Sequence, residues 1–196
     1  VHQRQLRSRE EFLKLGGPQA RGSNSGDLFI KSVNWKPVIT APHGYVLGLA
    51  FGIILESDLI VAEEGTQIQL TETSRGLGGS KYWSLMQYRG ATTFSTEIAL
   101  TGRFFGAEEG HAAGFIDRIA PKGKHLEVAK ELAQQINANP PLSVRATVRT
   151  RRLKMEQVGR ESGAQLNALK LYLTEDFHEA AKAFTEKRKP NKFKGR

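Results

Sequence analysis

The sequence contains no cysteine, which excludes disulfides, thiolate metal sites and a cysteine nucleophile. That usage fits a reducing compartment; the expected location is cytoplasmic, or the mitochondrial matrix if a targeting segment has been removed. No apolar run reaches the roughly 18–20 residues that cross a bilayer. The longest candidate, Tyr45 to Ile54, is interrupted by Gly48 and Gly52, so no membrane span is expected. The opening residues, Val-His-Gln-Arg-Gln, lack the apolar stretch of a secretory signal. P-loop, HExxH, GxSxG and EF-hand patterns and internal repeats are also missing. His43 and His111 have no companion at ligand spacing, so no metal is expected.

Acid is the scarcer charge: 20 Asp and Glu stand against 29 Lys and Arg, a net +9. The excess is local. Residues 141–196 hold 14 Lys and Arg against 6 Asp and Glu, so nearly all of it sits in the last 56 residues. Such a tail suits nucleic acid, an anionic membrane surface or a phosphorylated ligand. Equally, it suits a solvated helical face. With 196 residues, 39% of them hydrophobic, and mean hydropathy −0.42, the chain has enough material for one soluble domain with a core, or a domain plus a docked appendage.

Three parts are legible. In residues 1–35, Gln5 to Leu15 is loosely amphipathic, Gly16 to Gly26 reads as a mobile loop, and Leu28 to Val33 as a short helix. Residues 36–120 alternate between strand and helix. Strands are expected at Val38–Ala41, Leu59–Ala62, Gln67–Leu70 and Phe115–Ile119. A turn is expected at Gly44–Gly48 and helices at Ala50–Ser57, Tyr82–Gln87, Thr93–Leu100 (with Gly102 at its C-cap) and Glu108–Ala113. This alternation predicts helices packed on a mostly parallel sheet. After Pro121 all is helical: His125–Asn137, Leu142–Val158, Glu161–Leu173 and a last helix capped by Thr174.

Two local features carry chemistry. The turn Gly44 to Ala50 feeds a helix, so unbonded N–H groups point outward at its start; its glycines are also what a tight strand-to-helix turn requires. Glu72 follows an apolar strand and precedes a Gly-rich loop. A carboxylate at the mouth of a dry pocket has its pKa raised toward a useful range for a base.

Three segments in order resemble the crotonase superfamily of enoyl-CoA hydratases and isomerases. They are Lys36-Pro-Val-Ile-Thr-Ala-Pro-His-Gly-Tyr-Val-Leu-Gly48 with Ser57-Asp58; Leu70-Thr-Glu72-Thr-Ser-Arg-Gly-Leu-Gly-Gly79 with Leu100-Thr-Gly102 and Ala113-Gly-Phe-Ile-Asp117; and Thr174 to Pro190 with Phe193-Lys-Gly-Arg196. The resemblance implies an α/β fold: a ββα spiral core over 1–120, lacking the family's N-terminal strands, then a helical oligomerisation region over 121–196 forming a trimer or a dimer of trimers. It also implies an acyl-CoA substrate whose enolate is held by an oxyanion hole, with no cofactor besides the CoA of the substrate. The roles that follow are Glu72 as catalytic acid/base, the Leu49 N–H as oxyanion donor, and Gly48, Gly79, Tyr82 and Trp83 as substrate-binding residues, with Met86 a further candidate for the acyl pocket. Phe184 and Lys187 would reach the CoA of a neighbouring subunit.

Two departures qualify this. The first glutamate of the two-carboxylate hydratases falls on Gly52, with Glu56 one helical turn further on. One base suffices to move a double bond, so isomerisation is favoured over hydration. The family's other oxyanion motif is missing from the front, since Ser25-Gly26-Asp27-Leu28 lies too close to Lys36. The alternatives are RNA binding through Arg149-Thr-Arg-Arg-Leu-Lys154 or a non-catalytic relative. The tail has few aromatics and no RNP, KH or zinc pattern, which makes nucleic acid the lesser reading.

Overall fold

The computed structural model describes residues 8–15 and 35–196. The expected loop at 16–26, the helix at 28–33 and the segment at 25–28 lie outside the described residues. In chain order come α1 (Arg9–Leu15), β1 (Ile39–Thr40), β2 (Tyr45–Leu47), α2 (Leu49–Glu56), β3 (Leu59–Glu63), β4 (Gln67–Gln69), α3 (Ser80–Arg89) and α4 (Thr92–Thr101). Then follow β5 (Phe104–Gly106), α5 (Ala107–Ala112), β6 (Arg118–Ala120), α6 (His125–Asn137), α7 (Pro141–Leu169) and α8 (Glu175–Thr185).

The strands divide between two sheets. β1, β3 and β6 are parallel in that order; β2 and β4 are parallel, with β5 antiparallel on β4. The chain passes back and forth between the two sheets, only β4 and β5 following each other within one, and so winds as a ββα spiral, as expected. Val61 and Ala62 of β3 are fully buried because this strand is central and covered on both faces. In β4 only Ile68 is buried between two glutamines. Between the sheets and helices lies an aromatic core: Phe51 of α2 meets Phe105 and Phe115 edge-on at 5.9 and 6.1 Å. Such pairs add about 0.5–1.5 kcal/mol each beyond area burial.

Several local expectations change. Residues 45–47 form a strand rather than a turn; Val46 is buried while Tyr45 and Leu47 face out, the period-2 signature hidden among its glycines. β5 is only three residues long and left no pattern in the sequence. The last strand begins at Arg118, because Phe115 and Ile116 turn inward as core. The two helices expected at 142–158 and 161–173 are one, α7, followed by a 3-10 turn at Leu171–Leu173. Gly159 and Gly163 sit within it without breaking it, and it ends where Lys170 takes a left-handed φ of 46°. At the 120/121 division the packing is continuous: Met155 of α7 is fully buried in the core.

The fastening point of α7 is Asp58, just after α2. Its carboxylate accepts Val38 N–H at 2.8 Å, Arg151 at 3.0 Å and both Nε and Nη2 of Arg152, at 3.2 and 2.5 Å. Arg152 is 1% exposed and also donates to the Lys36 carbonyl at 2.8 Å. Part of the basic excess of the C-terminal segment is thus spent on structure. Asp58→Ala removes the carboxylate but leaves Arg152 in the interior, so it should destabilise by about 3–5 kcal/mol. A urea denaturation midpoint that does not move would refute this.

Candidate active site

The site grows from three close approaches. Gly48 precedes α2 with φ 53° and ψ −116°, a backbone that L side chains rarely adopt. A Cβ there would lie 2.7 Å from Thr71 Oγ1 and 3.4 Å from Glu72 Oε1. The strand-to-helix turn therefore touches the segment after β4 closely enough to bring Glu72 beside the start of α2. Gly79, at the N-cap of α3, is buried, and a Cβ there would meet Leu70 at 2.6 Å. Gly52, one turn into α2, lies under the Tyr82 ring: a Cβ would be 2.8 Å from Cε1 and 2.9 Å from the hydroxyl.

Leu49 is the first residue of α2, whose start has no side-chain cap. Its N–H faces no intrahelical carbonyl, and the helix dipole adds partial positive charge there. The Leu49 side chain is half exposed, so the amide lies at an open edge.

Glu72 is largely withdrawn from water, and Oε2 is buried with no hydrogen-bond partner among the described residues. Burial pushes its carboxyl above the ordinary glutamate value; its own backbone N–H and the hydroxyls of Thr71 and Tyr82 pull the other way. Burial also raises the Tyr82 phenol, reinforced by the negative charges of Glu72 and Glu56. Tyr82 therefore stays a neutral hydroxyl.

The remaining expected residues separate. Trp83, proposed for the acyl pocket with Tyr82, donates its Nε1–H to Thr96 Oγ1 of α4 at 2.9 Å. Adjacent helical residues point about 100° apart, so only one of the pair can face Glu72. Met86 is fully buried core. Glu56 is buried and paired with Lys81 at 3.0 Å, which makes it one half of an ion pair instead of a free acid. His111 bonds the Ile116 carbonyl and His43 stacks on His125, itself bound to Glu63. Phe184, expected at a neighbour's site, lies in this chain under Arg75, whose guanidinium is 3.6 Å from the ring centroid. Arg75 follows Glu72 by three residues, so α8 reaches the edge of the site within one chain. Lys187 is exposed just beyond α8 with φ 53°. Neither the Arg75–Phe184 contact nor the Glu56–Lys81 pair had a signal in the sequence. The Tyr82–Gly52 contact had one: an absent side chain at 52 and an aromatic ten residues after Glu72.

Residues 24–196 match the Enoyl-CoA hydratase/isomerase family model. The mevalonyl-coenzyme A hydratase sidH of Aspergillus fumigatus is 34% identical over 181 residues, covering 89% of this chain and 62% of its own. The 2,3-dehydroadipyl-CoA hydratase of Escherichia coli K12 is 33% identical over 166 residues, covering 82% and 64%. A solved carnitinyl-CoA dehydratase from Mycobacterium avium 104 superposes with TM-score 0.74 at 29% identity, over 86% of this chain and 68% of its own. The chain thus spans under two thirds of the length of the curated relatives it matches.

The raised pKa of Glu72 carries a stability consequence. Between the unfolded and folded values the folded state binds the extra proton, so stability falls as pH rises through that window. Glu72→Gln removes the buried charge. The variant should gain melting temperature over the parent at neutral pH, with the gain vanishing in acid below the ordinary glutamate value. Parallel melting curves across pH check this; an equal difference at every pH would refute it.

Proposed function

The chain belongs to the enoyl-CoA hydratase/isomerase family, and we propose that it acts on an acyl-CoA thioester through an enolate, with Glu72 as acid and base. The observation that carries this reading is the buried Glu72 Oε2, unpartnered among the described residues, close to an uncapped helix start. A carboxylate oxygen with no competing donor is free to take a proton, and its raised pKa suits returning it. The Leu49 N–H is the oxyanion donor, acting where charge develops on the thioester oxygen.

Addition of water is the reaction supported by relatives named as hydratases and dehydratases. As the water oxygen bonds to the β-carbon, its proton passes to Glu72 and the C=C pair moves toward the thioester oxygen. Glu72 then gives the proton to the α-carbon. The preference for double-bond migration gains nothing from those names. It rests on Gly52 at the first-acid position with Glu72 kept at the second, and is the second reading; there Glu72 shuttles one proton between two carbons.

Tyr82, Gly48 and Gly79 shape the acyl end of the site in this proposal, while Phe184 and Lys187 serve the CoA, the lysine through phosphate. A trimer or a dimer of trimers is proposed as the assembly. Its support is apolar surface on the helices after Pro121, where Leu126, Leu142 and Leu169 are 60–76% exposed.

Glu72→Gln keeps the shape and removes the base, so turnover of a 2-enoyl-CoA should fall about 10²–10⁴-fold. Mass spectrometry of the product separates the two reactions, because hydration adds the mass of water and isomerisation adds none. Near-full activity in Glu72→Gln would overturn the assignment.

A further inference from the structure

Next to Glu72, the volume that a side chain at position 52 would enter is occupied by the Tyr82 ring and hydroxyl, 2.8 and 2.9 Å from where the Cβ would stand. The ring is held there by packing: Phe51 meets it edge-on at 6.0 Å, and it lies against the hydrophobic core. Its hydroxyl and the Glu72 carboxylate border the same turn at the start of α2: a Cβ at Gly48 would stand 3.4 Å from Glu72 Oε1, and one at Gly52 2.9 Å from the Tyr82 hydroxyl. We propose that Tyr82 is a positioning residue for that reaction: its phenol fills the place left by the missing side chain at 52 and donates a hydrogen bond that holds ionised Glu72 with Oε2 turned to the substrate. The proposal rests on Glu72 being the base.

The chemistry favours a phenol at this point. A second carboxylate would set two negative charges side by side in a partly dry site, and one would then hold a proton. A neutral hydroxyl supplies a donor without that repulsion. It favours the charged form of Glu72 and so opposes the effect of burial. Tyr82 itself gives up no proton at any step, since burial and its negative neighbours keep it protonated.

Among the described residues, the charged groups around the pair are few. On α2, Glu56 is neutralised by Lys81 of α3 at 3.0 Å. Arg75, in the turn after Glu72, is stacked on Phe184 of α8. From α7, Gly159 lies beside Lys81, Leu166 beside Gly78, and the Ser162 carbonyl accepts from Ser80 Oγ at 3.4 Å, none of the three charged.

Tyr82→Phe keeps the ring and removes only the hydroxyl. The direct readout is the Glu72 side-chain carboxyl in carbon-13 NMR, identified by its loss in Glu72→Gln and titrated without substrate. In Tyr82→Phe its midpoint should move to higher pH. With crotonyl-CoA as probe, the rate should fall about ten- to a hundredfold, the worth of one hydrogen bond to a charged group, and the acid limb of the pH profile should move the same way. An unchanged Glu72 midpoint in a folded Tyr82→Phe protein overturns the proposal and reduces Tyr82 to packing, whatever the rate. Full activity in Glu72→Gln overturns instead the reading beneath it, so the two failures are distinct.

Discussion

One buried carboxylate organises this molecule. Asp58 ties the segment before β1, through Val38, to two consecutive arginines in the middle of α7. A charge in the interior is tolerated only when it is paired and hydrogen-bonded, and Asp58 is both. A second polar link continues from it: Arg89 at the end of α3 donates to the Ser57 and Phe115 carbonyls and pairs with Asp117, which in turn accepts Ile60 N–H. These bonds fix α3 and α7 against the first sheet. Because α3 carries Tyr82 at its other end, a network remote from Glu72 helps decide where the phenol stands.

The site is a consequence of missing side chains. Gly48, Gly52 and Gly79 each leave a gap that a neighbouring group fills at contact distance, and together these contacts pull α2, α3 and the turn after β4 into one corner. Close packing of this kind leaves little room for water, which is what raises the Glu72 carboxyl.

Much of this was legible in the chain. The apolar runs at 59–62 and 125–137, the glycine ending α4 and the Thr174 cap, whose hydroxyl accepts Phe177 N–H, follow from local rules that hold whatever surrounds them. Glu72 stands at a boundary between an apolar strand and a glycine loop, but it was singled out by the resemblance to the family, which places its base there. What failed was of two kinds. Strands of two or three residues, such as β2 and β5, carry too little pattern to be read. Partners far apart in sequence, such as Arg75 with Phe184 or Glu56 with Lys81, are set by packing, so no spacing announces them.

The contact between Gly52 and Tyr82 also constrains how such a sequence can change. The two positions compete for one volume, so an acid at 52 is not accommodated while the ring stands at 82. Enlarging residue 52 first crowds a dense interior at about 1–3 kcal/mol, while shrinking residue 82 first opens a void beside Glu72. Either order passes through a poorer protein. The pair therefore behaves as a ratchet: with the small residue at 52 and the ring at 82, sterics alone oppose a single-step change at either position.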